Sequence, residues 1–515
     1  MRFAELAENI SAELDPCWID NAAPETNIRG ISYDSRVVAP GDLFVALRGS
    51  GTDGHRFVRA AGDAGAVALL VEKDFAGGTP LPTLGVTDSR AALAQIAAPF
   101  FGNPARELAL VGITGTNGKT STCTLVESIL RAAGRTTGLI GTVEIRFRDE
   151  HVRSINTTPE SLDLQRTLRA MCTAGVDVVA MEVSSHGLAL GRVTGCVFRI
   201  AALSNVTQDH LDFHGDMDGY VEAKALLFRD YLAEDGCAVI NLDDSYAKRF
   251  VAATRERGAA CLLVSAEGRE EADLRVLSAT TTVEGTELRI ATPDGIIDAT
   301  LPLIGALNIE NGILAAGVGA ALGISREHIA AGLARCPQVP GRLERILGDT
   351  GSASVFVDYA HTPDALAKLL RTLRPLTEGR LIAVFGCGGD RDRGKRPLMA
   401  EAVARHADIA IATSDNPRTE DPESILDDVE AGLAGAPSLS AQELARAMRG
   451  YIRIADRRTA IRAAIEAGNS SDTVVLAGKG HEDYQIIGRE RLPFDDRDEA
   501  RRVLQGAASA EGRRE

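Results

Sequence analysis

The chain has 515 residues, 45% apolar and 25% charged, which is enough for two to four domains that each bury their own core. Acidic residues outnumber basic ones 72 to 56, and the net charge of −16 excludes the broad basic surface that non-specific nucleic-acid binding requires. No stretch approaches the roughly 20 uninterrupted apolar residues of a membrane span. The first fourteen residues carry Glu5, Glu8 and Glu13 in place of a signal-peptide core, and the eight cysteines form no C-x-x-C pair, so a reducing, cytoplasmic setting is expected.

In chain order, the first hundred residues read as a small α/β unit with strands near Leu43–Leu47 and Ala66–Val71. Phe101-Gly102-Asn103-Pro104 is a turn-forming break. Leu108–Thr114 reads as a strand, followed by a glycine loop and a helix with Val126, Ile129, Leu130 and Ala133 at helical spacing. Val178–Met181 and Ile200–Leu203 are apolar runs of buried-strand type, the pattern of a parallel sheet with crossover helices. A second break falls at Val339-Pro340-Gly341-Arg342. Beyond it Leu381–Phe385, Ile409–Ala412 and Thr473–Ala477 are short apolar strands, each entering a polar loop with glycine or proline. Ligands of open α/β sheets bind outside the carboxyl ends of strands, which makes those three loops candidate sites. The residues from Gly506 onward read as a loose tail. The expected fold class is α/β in three domains, 1–104, 105–338 and 339–515, the middle one with a mainly parallel sheet.

The strongest local signal is Gly112-Ile113-Thr114-Gly115-Thr116-Asn117-Gly118-Lys119-Thr120-Ser121, placed between a strand and a helix. Backbone N–H groups of such a loop, with the helix N-terminus, cradle phosphates. Lys119 then reaches the β and γ phosphates of a nucleotide such as ATP, and the Thr120 hydroxyl faces Mg²⁺. The loop departs from the general G-x-x-x-x-G-K-[ST] pattern, since Ile113 stands at its first glycine and Gly112 lies one residue earlier. By itself a P-loop fits motors, switches, kinases and ligases alike.

The form Gly115 to Thr120 resembles the phosphate loop of the Mur ligases and of their relatives, the folylpolyglutamate synthases. Further segments carry the resemblance to the Mur ligases: Met181-Glu182-Val183-Ser184-Ser185-His186, Ser204 to Asp212 with Asp209-His210, Gly305 to Asn311, Gly341-Arg342, Asp358 to Pro363, and Gly478-Lys479-Gly480-His481-Glu482. They run in family order from about Asp34 to Asp496. The resemblance implies a UDP-substrate domain, a P-loop ATPase domain and a Rossmann-like C-terminal domain. It also implies ATP and Mg²⁺ as cofactors, an ATP-dependent ligation onto a UDP-muramoyl dipeptide, and a monomer.

The same resemblance assigns residues. Lys119, Glu182, His210 and Lys224 form the catalytic group; Thr120, Glu182, His210 and a carbamylated Lys224 hold metal. ATP is implied to contact Gly115, Thr116, Asn117, Gly118, Lys119, Thr120 and Ser121, with Asn308, Asn311, Arg342 and Asp358 on adenine and ribose. Tyr33, Ser35, the turn Gly49–Thr52, Asn156, Thr157, Thr158, Ser184 and Arg192 are implied for the UDP-linked substrate. Leu190 and Leu307 depart from the family, standing where relatives often have glutamine and an aromatic residue. The loop Asp415-Asn416-Pro417-Arg418 matches the D-N-P-R motif of the meso-diaminopimelate-adding members, with Arg391, Gly478 and Glu482 completing that site. Meso-diaminopimelate is lysine with a second carboxylate, and a guanidinium grips a carboxylate through two parallel charge-assisted bonds. Three other readings remain to be weighed: a folylpolyglutamate synthase, a lysine-adding Mur ligase, and a P-loop switch that transfers nothing.

Overall fold

A computed structural model describes residues 1–49, 51–348 and 351–511. Ser50, in the turn Gly49–Thr52, and the last four residues lie outside the described residues. The chain is α/β with mostly parallel sheets, as expected. It divides into two compact units, Met1–Val276 with Ile290–Ile297 and Glu310–Gly332, and Leu277–Arg289 with Asp298–Ile309 and Leu333–Glu515. No helix among the described residues is long and apolar enough to cross a membrane.

The first unit holds a small sheet in the order Cys17–Asp20, Thr83–Val86, Ala68–Glu72, Asp42–Val45, Gly30–Ser32, antiparallel only at its first pair. Its larger sheet has six consecutive parallel strands: Thr137–Ile140, Val178–Glu182, Ala109–Thr114, Phe198–Leu203, Leu232–Asn241 and Ala260–Ser265. Val178–Glu182 is buried at every residue and Ala109–Thr114 at all but its first, because helices cover both faces of a parallel sheet. Ala109–Thr114 lies between Val178–Glu182 and Phe198–Leu203, with Glu182 beside Ile113 and Leu203 beside Thr114. That register brings three strand ends to one edge. Gly112 sits inside its strand, where a Cβ would meet the Phe198 ring at 2.8 Å. This glycine serves sheet packing, so the shifted loop pattern costs the phosphate loop nothing.

The second unit holds the sheet Glu344–Ile346, Ser354–Asp358, Thr473–Ala477, Leu381–Cys387, Ile409–Ser414, Gly450–Arg453, parallel except for Glu344–Ile346. The helices Pro363–Leu373, Lys395–His406 and Pro422–Glu430 cover one face and Arg457–Ala467 with Asp496–Glu511 the other. Thr362 caps the first of these through Ala365 N, and Pro363 opens it. The helix Asp496–Glu511 runs past Gly506, where a loose tail was expected.

Candidate active site

The phosphate loop is shaped by contacts that exclude side chains at its glycines. Gly115 (φ 148°) and Gly118 (φ 86°) adopt backbone that L-residues avoid. A Cβ at Gly118 would lie 2.2 Å from Asn311 Oδ1, and one at Gly115 would lie 2.0 Å from Ser204 Oγ. The loop is tied to the neighbouring strand end, since Thr116 N donates to Asn205 O at 2.7 Å and Asn117 N to Asn205 Oδ1 at 3.0 Å. Ser204 Oγ donates to Asn117 O at 2.6 Å, and Thr122 Oγ1 to Asn311 Oδ1 at 3.2 Å. The helix Lys119–Ala132 therefore starts from a fixed turn.

Two lysine side chains converge on that turn. Lys119 Nζ donates to the Gly115 and Thr116 carbonyls at 2.8 and 3.0 Å, and Lys224 Nζ donates to the same Gly115 oxygen at 2.9 Å. Lys224 is 1% exposed, and burial, then the charge of Lys119, hold its pKa well below the ordinary lysine value. A lysine in that position favours the neutral amine.

Glu182, also buried, ends its strand with Oε1 accepting from Thr142 N at 2.8 Å and Oε2 from Thr142 Oγ1 at 3.0 Å. Thr142 Oγ1 also bonds Thr157 Oγ1 at 3.0 Å, and Thr158 Oγ1 donates to Glu182 O at 2.9 Å. Ser184 accepts from Gly187 N and so caps the helix Ser185–Ala189. Arg192 donates to Thr158 O at 3.0 Å. Thr142, Thr157, Thr158, Ser184 and Arg192 thus form one hydrogen-bonded group with Glu182, and Asn156 is exposed. His210 has φ 53° and is half-exposed; its ring meets His186 edge-on at 4.7 Å. Each carboxylate oxygen of Glu182 keeps a lone pair beyond its threonine bond, and a carboxylate, a hydroxyl and phosphate oxygens are the hard donors Mg²⁺ takes. Among the described residues no three His, Cys, Asp or Glu side chains stand together as a metal site.

Tyr33 hydrogen-bonds Asp163 through its hydroxyl, and burial followed by that bond raises its pKa. Ser35 is half-buried in the same loop.

In the second unit three loops leave the carboxyl ends of neighbouring strands and meet. Lys479, 0% exposed, reaches Asn416 Oδ1 at 3.3 Å, Glu482 Oε2 at 3.2 Å and Asp415 Oδ1 at 3.6 Å. Asn416 Nδ2 donates to Glu482 Oε2 at 3.0 Å. Asp415 Oδ1 is buried with no hydrogen-bond partner among the described residues. Gly478 has φ 117°, and a Cβ there would lie 3.0 Å from Asp415 Oδ2. Arg418, at φ 53°, is held by Arg418 N to Ile486 O at 3.0 Å and Gly488 N to Arg418 O at 2.7 Å. Its Nη1 donates to Gly389 O at 2.8 Å, while Nε and Nη2 have no protein acceptor among the described residues. Arg391 is exposed on the adjoining loop. Asp358, whose carboxyl is raised by burial against the pull of Arg342, accepts from Leu343 N and Ala360 N at 2.8 Å each. Arg342 lies over the Tyr359 ring at 5.1 Å.

Three family models match the chain: the Mur ligase family catalytic domain over residues 27–101, the Mur ligase middle domain over 113–319, and the Mur ligase glutamate ligase domain over 341–480. The UDP-N-acetylmuramoyl-L-alanyl-D-glutamate--2,6-diaminopimelate ligase of Geobacter metallireducens is 45% identical, covering 92% of this chain and 93% of its own. The chain belongs to the Mur ligase family. The ligase of the same name from Streptomyces avermitilis is 46% identical over 94% of each chain. A solved structure carrying that name superposes with a TM-score of 0.70 at 33% identity, covering 99% of both chains.

In this Mur ligase, Lys119, Thr120, Lys224, Glu182 and Asn311 lie in the first unit, and Asn308, Arg342 and Asp358 in the second. Asn308 is tied through Nδ2 to Ile304 O at 2.9 Å. Sequence reasoning missed the charges that hold the second unit's loops. Arg457 and Asp496 form a fully buried ion pair, and Arg457 donates to the last carbonyls of two site strands, Ala477 O at 3.0 Å and Ser414 O at 3.4 Å. Arg396, 1% exposed, bonds Glu420 and Asp428 at 2.8 Å and Gly388 O at 3.3 Å. A lone arginine in a polar helix reads as solvated, so no local signal marked either one. Lys479 stood inside a quoted motif without a role of its own.

Proposed function

We propose that the chain is an ATP-dependent ligase that joins meso-2,6-diaminopimelate to UDP-N-acetylmuramoyl-L-alanyl-D-glutamate, giving ADP, phosphate and the UDP-linked tripeptide. The observation that carries the amino-acid assignment is the meeting of the three strand-end loops. They bring an Asp415 oxygen that accepts no hydrogen bond among the described residues, together with Glu482, which suit an ammonium group, onto the same sheet edge as Arg418, whose Nε and Nη2 suit a carboxylate. Lysine lacks the second carboxylate and leaves that guanidinium edge without its partner.

The chemistry follows from the poor leaving ability of hydroxide. A γ-carboxylate oxygen of the D-glutamyl residue attacks the γ-phosphorus of ATP, ADP leaves, and an acyl phosphate forms. The neutral amine of meso-diaminopimelate then attacks the acyl carbon, phosphate leaves, and the amine's proton passes to solvent or to phosphate. Lys119 and the N–H groups of the loop hold the phosphates and offset the repulsion between two anions. Thr142 orients Glu182, and Thr157, Thr158, Ser184 and Arg192 orient the dipeptide substrate. Mg²⁺, when bound by Thr120, Glu182, His210 and Lys224 as its carbamate, supplies charge neutralisation on phosphate. A neutral Lys224 amine is the form that adds CO₂, losing one proton to become an anionic carbamate, so its low pKa supports that assignment.

Arg418 opposes the lysine-adding reading. The N-terminal family match and the D-N-P-R loop oppose a folylpolyglutamate synthase. A switch leaves the strand-end loops of the second unit without a task. This reading places the enzyme in the cytoplasm as a monomer, which light scattering after size exclusion checks. Mass spectrometry of a mixture of protein, ATP, Mg²⁺, the UDP-dipeptide and meso-diaminopimelate tests the reaction. A product heavier by one diaminopimelate less one water supports it, and ATP turnover with no new peptide refutes it.

A further inference from the structure

We infer that Lys479 is a positioning residue for amino-acid selection, a buried cation that locks the side chains of two specificity loops into one binding surface. The inference rests on the proposed function and deepens it. Lys479 carries no assigned role in that reading, yet it is 0% exposed, a burial that a charged lysine tolerates only with close partners. Its ammonium donates to two acceptors, Glu482 Oε2 at 3.2 Å and Asn416 Oδ1 at 3.3 Å, and pairs in charge with Asp415 Oδ1 at 3.6 Å. Two of these sit on the loop after Ile409–Ser414 and one on the loop after Thr473–Ala477, strands that are not neighbours but flank Leu381–Cys387. Among the described residues no other side chain ties to all three.

The arrangement determines which oxygens a substrate meets. Glu482 Oε2 is taken by Lys479 and by Asn416 Nδ2, so Oε1 is left to face a ligand. Asn416 Oδ1 takes Lys479 and Ile486 N, which fixes the amide orientation and anchors the hairpin strand that also receives Arg418 N. Lys479 thereby sets both ends of the site, the carboxylates directly and Arg418 through Asn416 and the Tyr484–Ile487 strand. It touches no reacting atom and acts through Glu482 and Asn416.

The test is a double-mutant cycle of K479M and E482Q, read as KM and kcat for each of the three substrates. K479M is expected to raise the KM for meso-diaminopimelate tenfold or more, with the KM for ATP and for the UDP-dipeptide within twofold of wild type. In the double variant the two effects should fall well short of multiplying, because both act on the Glu482 carboxylate. K479R should restore at least half of the lost discrimination between meso-diaminopimelate and L-lysine. If K479M does not fold, K479Q, which keeps a polar group without the charge, runs the same cycle with E482Q. Equal rises in all three KM values, or effects that multiply cleanly, overturn the inference while leaving the ligase intact. A wild-type protein that makes no peptide overturns the proposed function and this inference together.

Discussion

Arg418 is the residue to which the proposed function gives the choice of amino acid. Its backbone is held at φ 53° by two bonds to the Tyr484–Ile487 hairpin, a conformation a non-glycine residue keeps only when its surroundings impose it. Removing the guanidinium leaves a substrate carboxylate desolvated and unpaired, so R418A should lower kcat/KM for meso-diaminopimelate by about 100-fold. R418K keeps the charge without the fork and should fall between; a loss under threefold for R418A would contradict the role. Glu310 makes a second residue-scale case. Burial, then repulsion from Asp243, Asp244 and Glu267, pushes its pKa up to about 7 from 4.5. Between those values the folded state holds a proton that the unfolded chain has released, so this contribution to stability is present at low pH and is lost as pH rises through 7. E310Q should therefore raise the melting temperature more at pH 8 than at pH 5, and equal shifts would show that Glu310 does not titrate in this way. The D-N-P-R loop was legible because its chemistry lies in four consecutive residues. Lys479 and Arg457 were not, because a buried charge has no sequence signature until its partners, such as Asn416 or Asp496, are brought to it by the fold.

At the scale of elements, apolar runs ending in glycine loops located the site strands closely. Ile409–Ser414 and Thr473–Ala477 begin where they were expected, and the phosphate-loop strand differs by one residue at its start. The hairpin Tyr484–Ile487 with Glu490–Pro493 escaped notice because its residues are half-buried or exposed and charged, with no continuous apolar run. Two changes test how elements hold the site. In G118A, the new Cβ would lie 2.2 Å from Asn311 Oδ1 at φ 86°, so the helix start must shift. Nucleotide affinity should fall at least tenfold in a fluorescent-nucleotide titration, and unchanged affinity would mean the loop tolerates the shift. R457M leaves Asp496 buried without its partner, a change of about 3–5 kcal/mol. Urea unfolding followed by circular dichroism should show a transition at clearly lower denaturant, and a wild-type midpoint would remove Arg457 as the clamp of the two strand ends.

For the whole molecule, composition set useful limits: a chain of net charge −16 needs local cations wherever the proposed function holds an anion, and that reading uses Lys119 in the first unit and Arg418 in the second. The α/β class was legible from strand and helix periodicity, while the assignment of Asn308 and Asn311, three residues apart on one helix, to different compact units was not, because contact partition is a property of the folded chain alone. The central claim is a ligase whose second carboxylate contact chooses its amino acid. The measurement that tests it most directly is phosphate release with ATP, Mg²⁺ and UDP-N-acetylmuramoyl-L-alanyl-D-glutamate, with meso-diaminopimelate and L-lysine supplied in parallel. The account predicts release that requires the dipeptide and meso-diaminopimelate, with lysine at least about 100-fold poorer in kcat/KM. Equal rates with lysine would contradict the role of Arg418, and release indifferent to both co-substrates would contradict the ligase itself.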